Sequence, residues 1–269
     1  MYLGFFYLNF SNKLFIIFIL YVVPKVQICF MEVNMAKKVF IDPGHGGNDN
    51  GASGVNNLLE KNINLAVSKK VFNLLKVQGL DVLLSRDNDS TLSLDSRTNA
   101  ANKWDADCYI AIHCNSFDGN SKGLETYSYT TKTNDLASYI HDEILKSKSY
   151  TQNRGVKTAN FHVLRNSNMR SCLVELAFID NELDAKLLKE NQNEFAVAIA
   201  RGICNYLGVK YDSSNPVPSE KSNVPVENSN TFYRVVCGSF NNRIYAEEMV
   251  ESLKSKGYND VFIDVFVKR

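Results

Sequence analysis

Apolar and polar positions from Lys37 onward follow two alternating patterns along the chain. Short apolar runs predict strands, whereas longer stretches with an apolar residue every three or four positions predict amphipathic helices. The predicted strands are KKVFID, LDVLLS, DCYIAIH, FHVL and SCLVELAF. The predicted helices are EKNINLAVSKKVFNLLKVQG, LDSRTNAANKW, TNDLASYIHDEILKSKS and NEFAVAIARGICNYLG.

The first predicted helix shows the helical pattern most clearly. Its residues Ile63, Val67, Val71 and Leu74 recur at helical spacing, and Gly79 closes it. A strand, a helix and a second strand in succession predict a parallel sheet. We therefore expect an α/β fold with a mostly parallel, twisted sheet flanked by helices.

The N-terminal segment, residues 1–35, has a different character. Its residues 14–23, LFIIFILYVV, form a continuous apolar run after a single positive charge. Because a membrane-spanning helix needs about 20 apolar residues, this run favours a signal-peptide core or a signal anchor. No small-x-small cleavage site follows cleanly, and MAKKVFID also reads as a natural start with appended sequence before it. The three interpretations remain open.

The C-terminal part divides into a linker and a small segment. Residues 210–230 contain three of the five prolines, are rich in Ser and Asn, and show no apolar periodicity, which indicates a linker. Residues 231–269 then resume as strand, helix and strand, a length that seldom folds without help. The sequence thus predicts a main domain over residues 36–209 and a small α+β segment over residues 231–269.

Composition excludes some classes of protein. With 45% hydrophobic and 22% charged residues, the chain has enough apolar side chains for a core, which excludes disorder of the whole chain. A net charge of +1 provides no basic surface field, so a nucleic-acid partner is not expected. The six cysteines show no C-x-x-C pair and are expected to be free, buried thiols.

Two of the four histidines follow predicted strands directly. His45 lies in the glycine-rich turn of VFIDPGHGG, and His113 ends CYIAIH. In an open parallel sheet, ligands gather at the carboxyl ends of the strands, so both imidazoles are expected to face one crevice. Two imidazoles and a carboxylate are a common ligand set for catalytic zinc.

Two glutamates are candidates for this site. Glu60 begins the first helix, where a carboxylate usually only complements the helix dipole, but its position after the glycine-rich loop favours a metal ligand. Glu175 lies among apolar residues in SCLVELAF. It is either a general base beside a metal, with a raised pKa, or half of a buried ion pair with Arg165 or Arg170.

Other polar residues are weaker candidates. Arg86 and Arg97 could meet a substrate carboxylate, although buried arginines more often form structural ion pairs. His141 lies among charged residues on a predicted helix and is expected to be solvated. His162 is expected to line a cleft or to lie on a strand edge.

Several motifs occur together in the order of one known family. Residues 37–209 contain IDPGHGGNDNGASG, LLEKNINL, LSRDND, LSLDSRTNAAN, IAIHCNS and LVELAFIDN. In this the chain resembles the zinc-dependent N-acetylmuramoyl-L-alanine amidases of the Amidase_3 type. Residues Arg170 and Ala177 depart from the proline and glycine that members often have around the glutamate strand.

The resemblance implies a set of site residues. His45, Glu60 and His113 would bind Zn²⁺, and Glu175 would be the catalytic glutamate that takes a proton from the attacking water. Asn115 is expected, with the two arginines above, to contact the substrate. The implied reaction hydrolyses the amide bond between N-acetylmuramic acid and L-alanine in peptidoglycan.

The resemblance also bears on partners, location and alternatives. The tail YRVVCGSFNNRIYAEEMVESLKSKGY resembles the first half of a SPOR domain, which implies binding of glycan strands. Action in the cell wall or outside the cell is expected, after secretion or lysis, with a cytoplasmic stage before phage-type release as an alternative. The alternative functions are a zinc carboxypeptidase and a non-catalytic peptidoglycan-binding protein.

Overall fold

A computed structural model of the chain describes residues 3–10, 13–22, 25–34, 36–147, 152–214 and 243–255. The chain separates into two compact units, Met1–Pro218 and Ser219–Arg269. Most of the predicted linker, and the strands predicted in the C-terminal segment, lie outside the described residues. Within the second unit, the predicted helix is present as Arg243–Ser255.

The backbone of the N-terminal segment forms three antiparallel strands. They are β1 (Leu3–Phe10), β2 (Lys13–Val22) and β3 (Lys25–Asn34), and β2 pairs with both of the others. Among the described residues, no helix has the length and apolar character needed to cross a bilayer. The predicted roles of this segment stay predictions.

A six-stranded sheet forms the centre of the main domain. Its strands are β4 (Lys38–Pro43), β5 (Asp81–Leu84), β6 (Cys108–Asn115), β7 (Leu124–Ser128), β8 (Asn153–Thr158) and β9 (Arg170–Phe178). The spatial order is β5-β4-β6-β9-β7-β8. Neighbouring strands are parallel except for β7 and β9, which are antiparallel. The expected mostly parallel sheet is confirmed.

Among the described residues, six α-helices accompany this sheet and a seventh belongs to the second unit. They are α1 (Glu60–Val77), α2 (Leu94–Trp104), α3 (Asp135–Lys146), α4 (His162–Arg165), α5 (Glu182–Glu190), α6 (Gln192–Leu207) and α7 (Arg243–Ser255). Local signals fix their ends. Ser93 caps α2 by accepting a hydrogen bond from the Ser96 amide, and Gly208 ends α6 at a φ of 69°.

Two apolar layers cover the two faces of the sheet. One face packs against α1, α3 and α6, with Val67, Ile140 and Ile199 fully buried. The other face carries Phe40, Tyr109 and other apolar residues beneath α2 and α4. The four cysteines whose side chains are described are buried and free, as expected.

Within the main domain, the structure corrects the sequence prediction at four places. FHVL is not a strand, because His162 begins the single-turn helix α4. The short strands β7 and β8 were not predicted, and neither was α5. β8 reads NRGVKT and lies at the sheet edge, where one side of the strand needs no apolar neighbours. A search for apolar patterns in the sequence therefore does not detect β8.

Candidate metal centre

The turn after β4 presents His45 in a restricted backbone conformation. The Gly44 amide donates to the Ile112 carbonyl at 3.0 Å, which fixes the start of the turn against β6. His45 then adopts a φ of 60°, in the left-handed region that residues with a side chain rarely enter. Such strain persists only where the surrounding structure over-determines the backbone, and it is frequent at functional sites.

Glycines give the site residues room to approach. A Cβ added at Gly44 would lie 2.2 Å from Cε1 of His113, and one at Gly51 would lie 2.5 Å from Oε2 of Glu60. Both distances are far inside van der Waals contact. The glycines of this loop thus accommodate Glu60 and His113 as well as His45.

His45, Glu60 and His113 converge at the carboxyl ends of β4 and β6. Nε2 of His45 lies 3.1 Å from Oε2 of Glu60, and Nδ1 of His113 lies 2.9 Å from Oε1 of the same carboxylate. One nitrogen or oxygen of each residue lies within 4.8 Å of the others. The three residues expected to bind a metal are therefore together in space.

Neighbouring groups orient two of these side chains. Oδ2 of Asp49 lies 2.8 Å from Nδ1 of His45, which leaves Nε2 as the nitrogen that faces Glu60. The amides of Ala52 and Cys114 donate to the two oxygens of Glu60 at 2.8 and 3.1 Å. Partners of this kind hold metal ligands in productive orientations. Asp49 was not predicted, although an acidic residue four positions after a candidate ligand histidine was a usable signal.

The electrostatics of the cluster favour a cation. Burial raises the pKa of Glu60, but hydrogen bonds from His113 and His45 outweigh it and hold that pKa well below its usual range. Burial lowers the pKa of His45, yet Glu60 and Asp49 raise it to about 9. Glu60 is therefore an ionised carboxylate that requires positive charge beside it, supplied by a proton on His45 or by a metal ion.

Glu175 lies next to His113 in the sheet and is not neutralised by an arginine. The two residues are register partners across β6 and β9. Oε2 of Glu175 is buried and has no hydrogen-bond partner among the described residues. Burial raises the pKa of this carboxyl to about 7. The arginines considered as partners are engaged elsewhere, Arg165 with Asn160 and Arg170 with Asp135.

Arg86 and Arg97 support the loop from below, as the structural alternative to substrate contact expects. Both are almost fully buried. Arg86 donates to the carbonyls of Pro43 and Gly44, and Arg97 donates to the His45 carbonyl at 2.8 Å and to Oδ1 of Asp42 at 2.6 Å. Their N–H donors hold the histidine turn in place, which supports the structural alternative, and the predicted substrate contact stays a prediction.

Two other histidines lie outside the metal cluster. His141 is on α3 as expected, but the prediction that it is solvated is wrong, because the residue is buried. Its ring nitrogens lie 3.0 Å from Thr126 Oγ1 and 2.9 Å from Asn153 Oδ1. His162 lies on α4, with Nε2 3.1 Å from Oδ1 of Asp95. Neither residue belongs to the group that could hold a metal ion.

Asn115 follows the metal cluster on β6 and contacts a charged residue that was not predicted. Its Nδ2 donates to Oε1 of Glu125 on β7. Glu125 is buried, and Tyr127, Arg154 and Lys157 donate to it as well. The expected substrate contact of Asn115 stays a prediction.

Comparisons with known proteins agree with this geometry. The sequence profile of the N-acetylmuramoyl-L-alanine amidase family Amidase_3 matches residues 39–205, and that of the SPOR domain matches residues 229–269. The chain is 39% identical over 234 residues to the N-acetylmuramoyl-L-alanine amidase CwlM of Bacillus licheniformis, covering 84% of each chain. It is 38% identical over 231 residues to the sporulation-specific N-acetylmuramoyl-L-alanine amidase of Bacillus subtilis, again covering 84% of each.

A solved structure of an N-acetylmuramoyl-L-alanine amidase is also similar to this chain. The N-acetylmuramoyl-L-alanine amidase AmiC2 of Nostoc punctiforme matches with a TM-score of 0.62 and 40% identity, over 64% of this chain and 97% of that one. The match thus spans nearly all of the solved chain. Together with the profile match over most of the main domain, it shows that this chain belongs to the Amidase_3 family of N-acetylmuramoyl-L-alanine amidases.

Proposed function

We propose that this amidase is zinc-dependent, with His45, Glu60 and His113 as the metal ligands and Glu175 as the catalytic residue. The observation that carries the proposal is the convergence of these groups beside a glutamate whose buried oxygen has no partner in the part of the chain that the structure describes. The bond cleaved is the amide between N-acetylmuramic acid and L-alanine of peptidoglycan.

The donor set supports zinc over harder cations. Two imidazoles and one carboxylate are a common protein ligand set for catalytic zinc, which keeps a further position open for water. Magnesium and calcium prefer all-oxygen surroundings, which two histidines do not provide. When bound, zinc would lower the pKa of a water molecule and polarise a carbonyl group.

Glu175 is placed to move the proton in this reaction. Its unpartnered Oε2 is free to accept a proton from the attacking water, and its raised pKa lets it hold that proton near neutral pH. The proton then passes to the nitrogen of L-alanine as the amide bond breaks. The products are a carboxylate on the lactyl group of N-acetylmuramic acid and a free amine on L-alanine.

The second unit supports action on intact cell wall. A SPOR match over residues 229–269 agrees with the expectation that this segment binds glycan strands of peptidoglycan. The catalytic domain then spans residues 36–209, and residues 210–230 connect it to the binding segment. In this arrangement the enzyme acts in the cell wall or outside the cell.

Two variants test the assignment of roles. Glu175→Gln removes the proton acceptor but leaves all three metal ligands, so stem-peptide release should fall by roughly 100-fold or more. Its zinc content, measured by atomic emission, should equal that of the wild type. His113→Ala should instead lose bound zinc. Unchanged activity in Glu175→Gln, or stoichiometric zinc in His113→Ala, would show that these residues have other roles.

A further inference from the structure

A row of three side chains crosses the sheet beside the proposed metal site. His113 on β6 is the register partner of Glu175 on β9, and Glu175 is in turn the partner of Glu125 on β7. Directly opposed residues on neighbouring strands point to the same face of a sheet. The row therefore leads away from the metal ligands, past the catalytic glutamate, to Glu125.

Glu125 is a buried carboxylate with a full set of partners. It is only 3% exposed. Its Oε1 accepts hydrogen bonds from Asn115 and from the hydroxyl of Tyr127, the latter at 3.1 Å. Its Oε2 accepts from Nε of Arg154 at 3.0 Å and from Nζ of Lys157. A buried carboxylate is stable only when its oxygens accept hydrogen bonds, and both oxygens of Glu125 do so.

The two cations of this cluster carry more charge than Glu125 neutralises. Glu125 is the one carboxylate in contact with Arg154 and Lys157 among the described residues, so in these contacts two cations share a single negative charge. The side chains of Arg154 and Lys157 are 34% and 39% exposed, whereas Glu125 lies beneath them. Arg154 meets Glu125 through Nε, so its two terminal nitrogens are not used in that contact.

Aromatic rings also contact both cations. A contact with a ring face does not use an N–H donor in a hydrogen bond to oxygen. The Arg154 guanidinium lies 4.9 Å from the centre of the Phe178 ring, and Lys157 Nζ lies 5.9 Å from that of Tyr127. Cation–π contacts of this length orient a charged group over a ring. The result is a partly exposed pair of cations above Glu125, which is the register partner of Glu175.

We propose that Arg154 and Lys157 form a subsite for a carboxylate on the peptide side of the bond that is cut. This inference rests on the proposed function. In peptidoglycan the residue after L-alanine is typically D-glutamate joined through its side chain, so its α-carboxylate is free unless it is amidated. That carboxylate lies one residue beyond the scissile amide. The cations on β8 are close enough to meet this carboxylate. β8 lies two strand spacings, about 10 Å, from β9, and the long side chains of Arg154 and Lys157 can extend over that distance.

The test compares two synthetic substrates, N-acetylmuramoyl-L-alanyl-γ-D-glutamyl-L-lysine and its D-isoglutaminyl counterpart, which differ only in an α-carboxylate against an α-carboxamide on the second residue. The zinc-loaded full chain should hydrolyse the carboxylate substrate with a kcat/KM about tenfold higher, as a charged hydrogen bond provides. Lys157→Met and Arg154→Gln, made singly so that Glu125 keeps one cation, should each reduce this preference. Lys157→Arg should retain it.

Lys146→Met is the matched control, because Lys146 is an exposed lysine on α3 that pairs with Glu143. It should leave the preference unchanged. Equal rates of the wild type on the two substrates, or equal losses on both in Lys157→Met and Arg154→Gln, would overturn the subsite. Failure of the proposed function has a different signature, since the wild type would then cleave neither substrate at the lactyl amide or would do so without zinc.

Discussion

At the scale of single residues, Glu175 shows how one side chain combines two incompatible demands. Burial without a hydrogen-bond partner among the described residues destabilises the charged form of the Glu175 carboxyl group. Its pKa is raised for that reason. The same property suits a group that must accept a proton and release it within one catalytic cycle. Glu125, the next carboxylate in the row, is instead fully hydrogen-bonded, and its pKa is lowered by Lys157 and Arg154 in spite of burial.

The raised pKa of Glu175 predicts an acid limb in the pH dependence of activity. The carboxyl must be ionised to accept a proton, so kcat/KM should fall as the pH falls through its pKa. This pKa is about 7 without metal, and the charge of a bound zinc ion would lower it, which places the limb at or below pH 7.

Protonation of the histidine ligands could imitate this limb by releasing the metal. The pH profile should therefore be recorded at several zinc concentrations. A limb that arises from metal loss moves to lower pH as zinc increases, whereas a limb due to Glu175 stays in place. A rate at saturating zinc that stays constant down to the lowest pH at which the metal remains bound would contradict a general base of this kind.

Asp49 is expected to determine metal affinity without binding the metal. It fixes Nδ1 of His45, so Asp49→Ala should weaken zinc binding by roughly 10- to 100-fold. Competition with a chromogenic chelator measures the change. Asp118→Ala is a suitable control, because Asp118 accepts hydrogen bonds only within its own surface turn among the contacts described. Equal zinc affinity in Asp49→Ala and the wild type would refute this role.

At the scale of elements, the turn between β4 and α1 is the part that assembles the site. It brings His45 over the end of β6. Arg97 donates hydrogen bonds both to the His45 carbonyl and to buried Asp42, and so links the two residues. Tyr109 and Ser85 also donate to Asp42, each at 2.5 Å, so two neighbouring strands anchor the base of the turn. The two histidines of the proposed site therefore lie at strand ends that hydrogen bonds hold in place, whereas Glu60 comes from the start of α1.

Gly44→Ala tests this close packing directly. Gly44 does not have a positive φ, so alanine adds no backbone strain there, but its Cβ would collide with the His113 ring. We expect loss of zinc and activity with little change in thermal stability. Gly79→Ala is the opposite control: its φ of 79° strains alanine, yet no atom lies within 4 Å. It should lower the melting temperature and keep full zinc. Normal zinc content in Gly44→Ala would refute the steric argument.

Sequence patterns predicted the elements that have a strong apolar signal and missed those that depend on tertiary context. Strands β4, β6 and β9 are buried on both faces and read as apolar runs, so the proposed ligand histidines at the ends of β4 and β6 could be placed in one crevice from sequence. The antiparallel insertion of β7 between β9 and β8 has no such signal. For that reason the cluster around Glu125 and the cations of β8 could not be anticipated, and arginines in helix and loop motifs were considered instead.

At the scale of the whole molecule, catalysis and wall binding are assigned to separate units. All residues of the proposed site lie in the unit Met1–Pro218, whereas the whole SPOR match, residues 229–269, lies in the unit Ser219–Arg269. Removal of residues 219–269 should therefore leave the hydrolysis of a soluble muropeptide unchanged. The shortened chain should sediment less with purified peptidoglycan in a Glu175→Gln background, which prevents digestion. Loss of activity on the soluble substrate would contradict this division.

The central claim is zinc-dependent cleavage of the lactyl amide, and mass spectrometry of the fragments released from purified peptidoglycan tests it most directly. The protein should be assayed as purified, after removal of metal by a chelator, and after zinc is added back. We predict peptides that begin with a free L-alanine amine and glycans that carry a free lactyl carboxylate, lost with the metal and restored by zinc. Cleavage at another bond, or the same products after complete removal of metal, would contradict the account.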